Sequence, residues 1–388
     1  MDFPRQPAPT RNALFLGIIL TGVLLYLFYT LYVDWSLGGN SWKQGDWLIN
    51  DLAGPIRRGP FGTALLTLSD ALGANPLLLL IWLQGLIVTL IFVVIGAAAF
   101  KLGVPDKLLL VMLSPAFLIF FWFNDPQGAM RKEILAYLAF LPLIVSAMRN
   151  HGSRVALALS TTAYGIAVFA HEGNVFFLPF LWVAMWLVLP TNSGVATRIA
   201  VITVPALLAL GAGIWATAHT TVPDTDLICL QLIQRGLDSS ICQGAIAYLE
   251  TTPQDGTIHP GRLLSIEFRS FLLIYAACLI SFRLLFQGSP HLEIWLMAVI
   301  ASGLAFLPIY LLAGDYGRWL NFHVSSLVLL LLIYFLKYRP ACLYQTPRRV
   351  DFAGLLALSL IVGVSHSPGE MTDGFIVTLS RTVYHCVN

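Results

Sequence analysis

Four short polar clusters in an otherwise apolar chain hold side chains suited to chemistry. "GPIRRGP" carries Arg57 and Arg58, and "MRKEIL" carries Arg131, Lys132 and Glu133. "AHEGN" carries His171, Glu172 and Asn174, while "GDYGRWL" sets Asp315 and Arg318 three apart, the spacing of a pair across one helical turn. "KQGDWLIND" adds Asp46 between Trp42 and Trp47, with Asp34 and Asp51 on either side. Guanidinium forks and a lysine suit phosphate oxygens, because they bind them at two points and offset their charge. A carboxylate or histidine among those cations suits deprotonation of a hydroxyl.

The clusters interrupt runs that belong in a membrane. Of 388 residues 57% are hydrophobic and 11% charged, a composition that water-soluble domains do not show. About eleven apolar runs lie at 12–33, 76–100, 108–123, 132–148, 154–170, 175–190, 197–218, 268–287, 292–313, 321–337 and 352–367. Each is near the ~20 residues that cross a ~30 Å hydrocarbon layer as a helix. The expected architecture is therefore all-α, one polytopic membrane unit over 1–388. The first run is too long for a signal-peptide core and no small-residue cleavage site follows it, so it is expected to remain as the first span.

Charge sets the expected orientation. With the N-terminus inside, inner loops hold twelve Lys or Arg against four Asp or Glu, and outer loops hold ten against sixteen. Cytoplasmic loops retain basic residues, so a cytoplasmic N-terminus and an outside C-terminus are expected. The four clusters and Asp46 then all face outward.

The outer connections differ in size. The first, 34–75, has Phe61, Leu65, Leu68 and Leu72 at helical spacing, which predicts an amphipathic helix along the outer membrane surface. The fourth, 219–267, is long enough for a small cap and holds Arg235, His259, Arg262, Cys229 and Cys242. An oxidising compartment favours a Cys229–Cys242 disulfide, worth about 3 kcal/mol in the chain-entropy model, with two free thiols as the alternative. A charge in hydrocarbon costs several kcal/mol unless a cavity or partner receives it, so the convergence of charges predicts a polar site roofed by these two loops.

Each cluster also has a plainer reading. Arg131 and Lys132 can anchor a helix end by snorkelling, offset by Glu133. Arg57 and Arg58 can hold lipid headgroups, and Asp46 can be a solvated loop acid. Trp42, Trp47, Tyr316 and Trp319 fit either the interfacial belt or a sugar platform. His171 and Glu172 sit in a connection too short for a solvated loop, which predicts partial desolvation and a carboxyl raised toward the range useful for proton transfer.

No Walker sequence, dinucleotide glycine fingerprint, HExxH, CxxC or Gly-x-Ser-x-Gly elbow occurs, so nothing implies ATP or a nicotinamide cofactor. The scattered acids lack metal-ligand spacing, and neither a metal, another cofactor nor a nucleic-acid partner is expected.

The long first outer loop with "GDW", its amphipathic helix and the polar outer face resemble GT-C-type membrane glycosyltransferases. That resemblance implies a polyprenyl-phosphate or polyprenyl-pyrophosphate sugar donor and an acid in the first outer loop as base, here Asp46, with Asp34 or Asp51 as substitutes. The outer arginines and the chain length are also similar to Wzy-type polymerases of O-antigen, capsule and exopolysaccharide. That likeness implies pyrophosphate binding by Arg57, Arg58, Arg131, Lys132 and Arg318, with Glu172 or His171 as base and Glu133 and Asp315 in support. It further implies the outer face of a bacterial inner membrane, with membrane lipid and polysaccharide assembly proteins as partners. Two other classes compete: a lipid-linked oligosaccharide flippase or other transporter, and a non-catalytic subunit of envelope assembly. Transporters usually place charges near the midplane and show internal repeats, neither of which is visible here.

Overall fold

The computed structural model describes residues 11–220, 224–250, 266–312, 315–366 and 374–387. His259 and Arg262 of the expected cap lie outside them. The described residues form helices and turns with no strand, as membrane depth requires where each helix must satisfy its own backbone.

The first half of the chain contributes α1 (Arg11–Ser36), α2 (Lys43–Leu48), α3 (Gly59–Leu72), α4 (Pro76–Lys101), α5 (Asp106–Met112), α6 (Leu118–Asn124), α7 (Pro126–Ala129), α8 (Leu135–Leu138), α9 (Leu141–Met148), α10 (Arg154–Ala170) and α11 (Leu178–Val188). Next come α12 (Val195–Ala218), α13 (Thr225–Ile233), α14 (Ile266–Phe286), α15 (Leu292–Leu312), α16 (Tyr316–Tyr338), α17 (Arg349–Ile361) and α18 (Phe375–Val387). Five of these are long and apolar enough to cross a bilayer: α1, α4, α12, α15 through Tyr310, and α16. Arg154–Ala170, Glu172–Val188 and Ile274–Phe286 are shorter apolar helices.

Two of the eleven expected runs, 108–123 and 132–148, are not continuous helices. The first stops at Leu113 and resumes at Leu118, because Pro115 lacks an amide donor and Phe117 is extended. Between Asn124 and Leu141 the chain is a series of single turns, with Pro126 and Pro142 each opening a new helix. Irregular backbone at membrane depth is tolerated where protein encloses it. Here it is enclosed: Leu108–Phe123 is buried almost throughout. The central helix α16 supplies the missing polar partner, since Asn321 Nδ2 donates to the Ala116 carbonyl at 2.8 Å inside the break.

The loops gather at two ends of the bundle. At one end Asn12 meets Asp106 at 2.6 Å, Lys107 meets the Cys342 carbonyl at 2.8 Å, and Lys337 meets the Leu187 carbonyl at 2.5 Å. These connections are the ones the charge count places inside. The clusters read as outer meet at the other end.

Three points add detail to the expectations. Helix α3 forms where the spacing put it, but its buried stripe is Gly62, Leu65, Leu66 and Ser69, while Leu68 and Leu72 point outward, 49% and 62% exposed. Gly62 decides this rotation, because a Cβ there would strike the Ile49 carbonyl oxygen. The last expected run, 352–367, is helical as Arg349–Ile361, and α18 was not anticipated. Phe375 of α18 packs on Phe120 and Phe123 of α6, with ring centroids at 4.8 and 4.6 Å. Cys229 and Cys242 are disulfide-bonded, as expected, while Cys278 and Cys342 are free and buried.

Candidate functional site

Asp46 sits on α2, a helix of six residues that survives because side chains finish its hydrogen bonds. Asn40 Oδ1 accepts from the backbone of Trp42 and Lys43 at 3.0 and 2.8 Å, and Gln44 returns an acceptor to the Asn40 N–H at 2.9 Å. Lys43 pairs with Asp34 at 2.6 Å. Trp47 Nε1 donates to the Met130 carbonyl at 2.8 Å, and Gln84 Nε2 donates to the same oxygen at 2.9 Å. These two hydrogen bonds pin the break after α7 against α2. It places the next three residues, Arg131–Glu133, directly over Asp46.

The Arg-Lys-Glu triplet does not snorkel. All three side chains are buried, and they diverge. The Lys132 backbone N–H reaches Asp46 Oδ2 at 3.2 Å, while its ammonium donates to the Arg58 carbonyl at 2.7 Å. Arg131 Nη1 lies 3.8 Å from Asp315 Oδ2, with its guanidinium 5.7 Å from the Trp42 ring centre. Glu133 turns away from both cations beside it: Oε1 is 2.9 Å from Arg318 Nη1 and 3.3 Å from His171 Nε2.

Arg58 caps α3 in the left-handed region, φ 67, a conformation that costs a non-glycine residue roughly a kcal/mol or more. This backbone aims its side chain at Glu172, which it grips with Nε at 2.9 Å and Nη2 at 2.6 Å, while Nη1 is 3.8 Å from Asp46 Oδ1. Arg57 stands at the exposed rim, 3.8 Å from Glu172. Arg318 closes the circle by pairing with Asp315 at 2.7 Å, the turn-spaced contact the sequence predicts.

Five cations and four carboxylates, Asp46, Glu133, Glu172 and Asp315, thus meet at one end of the bundle. They come from the first loop, the α7–α8 break, the α10–α11 junction and the start of α16. Asp34 is occupied by Lys43, and Asp51 is bonded to Thr63 near the α3 start, so of the three acids considered in the first loop Asp46 is the one that joins the cations. The aromatic residues flanking these groups are structural here: Trp47, Tyr316 and Trp319 are buried in packing contacts.

Asp46, Lys132 and His171 lie in connections between spanning helices, and their protonation is set locally. Burial alone would raise Asp46; Arg131, Lys132, His171 and Arg58 outweigh it and hold the carboxyl well below the usual carboxylate range. Burial, reinforced by Arg58, lowers Lys132 to about 8. Burial first and then Arg58 lower His171 to about 4, so its imidazole is neutral near pH 7. Its tautomer follows from its neighbours: Nδ1 accepts from the Gly173 N–H at 3.0 Å, which leaves the proton on Nε2, facing Glu133.

The cluster retains unused hydrogen-bonding capacity. Asp46 Oδ1, both Glu133 oxygens, Arg131 Nε, and Arg318 Nε and Nη1 are buried without a hydrogen-bond partner. Close approach without alignment, as between Glu133 and Arg318, leaves such atoms electrostatically paired yet free to turn toward a ligand. Among the described residues no three His, Cys, Asp or Glu side chains are grouped to hold a metal ion.

Some partners were not visible in sequence. Gln84 acts from the middle of an apolar run and the Met130 carbonyl from the backbone just before Arg131, and no local spacing links either to Asp46. Asp125 and His366 are another such pair, 2.6 Å apart, joining the start of α7 to the segment after α17. The chain matches no protein-family model, no curated protein and no solved structure.

Proposed function

We propose that this end of the bundle binds the phosphate or pyrophosphate of a polyprenyl-linked sugar, and that the protein is a membrane glycosyltransferase or polysaccharide polymerase. The observation that carries this reading is the convergence of Arg57, Arg58, Arg131, Lys132 and Arg318, three of them buried, around carboxylates with unused hydrogen-bonding atoms. One positive charge remains in surplus within this set, and an anionic group entering it would gain several charge-assisted bonds. Arginine forks around a leaving phosphate would also stabilise the charge that builds there as a glycosidic bond breaks.

In this reading Asp46, Glu133, Glu172 and Asp315 hold the cations in place. The charge count supports a site on the outer face of the membrane, where lipid-linked glycans of a bacterial envelope are joined. Membrane lipid and assembly proteins of the same envelope are the proposed neighbours.

The test uses full-length protein in nanodiscs with a polyprenyl-pyrophosphate glycan. Wild type should bind the lipid and form a new glycosidic bond, and Arg131→Ala should weaken binding at least tenfold. Binding with transbilayer movement and no new bond would instead identify a transporter. No binding by folded wild type would overturn the lipid-phosphate reading and leave an assembly subunit.

A further inference from the structure

A glycosyl transfer at this site needs a group to take the proton of the acceptor hydroxyl, and the three residues that sequence suggested are all engaged. Asp46 accepts from the Lys132 N–H on Oδ2, and its Oδ1, which makes no hydrogen bond, faces the Arg58 guanidinium at 3.8 Å and is enclosed by cations. Both Glu172 oxygens are held by Arg58. His171 accepts on Nδ1 from Gly173 and carries its proton on Nε2 toward Glu133, so neither ring nitrogen offers a free lone pair.

Asp125 and His366 are arranged differently. Asp125 Oδ2 receives both the His366 backbone N–H and His366 Nδ1, each at 2.6 Å. Asp125 Oδ1 accepts from the Gly128 N–H at 2.9 Å and so caps α7. The carboxylate is 5% exposed, and the imidazole side chain is 23% exposed. A proton on Nδ1, shared with Asp125, leaves the Nε2 lone pair available, and among the described residues nothing is bonded to it.

Two short stretches of chain connect the pair to the cation cluster. Helix α7, capped by Asp125, leads directly to Met130 and Arg131. Ser365 packs so closely on α16 that a Cβ on Gly317 would strike its carbonyl oxygen, and Gly317 separates Asp315 from Arg318 by a single turn. His366 is the next residue along, so it directly follows the segment that meets α16 between Asp315 and Arg318.

We propose that Asp125 and His366 are the proton-accepting dyad of the transfer proposed above, on which this inference rests. The acceptor hydroxyl oxygen forms the new bond to the anomeric carbon, and its proton passes to His366 Nε2. The bond between that carbon and the phosphate oxygen breaks, and its electron pair leaves with the lipid pyrophosphate, held by Arg131 and Arg318. Asp125 is the positioning residue, fixing the ring and balancing the imidazolium that forms. The proton on His366 then passes to water, which restores the dyad.

The experiment compares wild type, His366→Gln, Asp125→Asn and Asp125→Glu in nanodiscs, measuring polyprenyl-pyrophosphate glycan binding and turnover separately. Positioned acid–base groups contribute roughly 10²- to 10⁴-fold, so His366→Gln should lose at least about a hundredfold in kcat while its Kd for the lipid stays within about threefold. Asp125→Asn should lower kcat with KM little changed, and Asp125→Glu should recover part of it; a merely structural role would not divide kcat from KM in this way. His366→Gln that binds and turns over like wild type would overturn the dyad and leave the glycosyltransferase reading intact. Wild type that binds no lipid pyrophosphate would overturn both.

Discussion

Glu133 Oε1 lies 2.9 Å from Arg318 Nη1, with both side chains almost sealed from solvent, at 1% and 8% side-chain exposure. The carboxylate comes from a break in the chain and the guanidinium from the central helix, so one contact ties the least regular part of the fold to the most continuous. Desolvating either charge alone is far more costly than desolvating the pair.

Breaking that pair should therefore be severe and non-additive. Glu133→Ala and Arg318→Ala are each expected to destabilise by about 3–5 kcal/mol, since each takes a close counter-charge from a buried ion, with the Asp315 contact left to Arg318 placing Glu133→Ala at the lower end. The double variant should recover roughly 0.5–3 kcal/mol of the summed loss. Unfolding in detergent, followed across the four members of the cycle, checks this; strict additivity would show that the two charges do not depend on each other.

Acid should weaken the fold through His171. Its folded pKa is depressed to about 4, and an unfolded imidazole takes up its proton near 6.5. Between those values the unfolded chain binds more protons, so stability falls as pH drops through the window, by roughly 3 kcal/mol at most. Asp46 acts in the same sense at lower pH, because its depressed pKa contributes stability that is lost only as the cluster itself is protonated. His171→Gln should flatten the slope of stability between pH 6.5 and 4. An unchanged slope would assign it to other groups.

Much of this site was legible because ionisable residues in an apolar chain are few and costly. Arg58, Arg131, Lys132, His171, Glu172 and Arg318 stand out for that reason, and topology alone placed them at one end. Their pairings were not legible. Glu133 sits next to two cations in sequence yet faces Arg318 and His171, because the turns around it point successive side chains in different directions. Continuity of the apolar runs also misled. A run such as 108–123 satisfies the length of a span, but hydropathy cannot distinguish a helix facing lipid from a broken segment buried inside the bundle. His366 gave no signal because its partner Asp125 lies far away in the chain, and no short-range pattern joins them.

Gly173 should tolerate no side chain. A Cβ there would sit 2.5 Å from Trp319 Cη2 and 3.0 Å from His171 Nδ1. Gly173→Ala is expected to cost about 1–3 kcal/mol by overpacking and to displace both rings, loosening the Glu133 contact. Thermal unfolding together with lipid-pyrophosphate binding reads both effects. Wild-type values for both would show that Trp319 can retreat without disturbing the site.

The disulfide should support the site at a distance. The segment that follows Cys242, anchored by its bridge to Cys229, packs on the residues that begin α2: the Ala245 N–H donates to the Ser41 carbonyl at 2.9 Å, and Tyr248 meets Trp42 with ring centres 5.6 Å apart. Cys229→Ser with Cys242→Ser should lose about 3 kcal/mol. Because Trp42 lies under the Arg131 guanidinium, lipid binding should weaken as well. Lower stability with unchanged binding would confine the bridge to the cap.

In the glycosyltransferase reading proposed above, orientation decides which pool of donor the cations would meet. Leu52, 43% exposed, lies in the loop between α2 and α3 at the site end; Tyr344, 47% exposed, lies in the loop between α16 and α17 at the opposite end. In intact cells a membrane-impermeant maleimide should label Leu52→Cys and leave Tyr344→Cys untouched until the membrane is opened. The basic loops at the Tyr344 end require this result if charge has set topology. The reverse pattern would turn Arg58, Arg131 and Arg318 toward the cytoplasm, where the glycan already assembled on an outer-leaflet lipid would be out of reach, and the polymerase reading would fall with it.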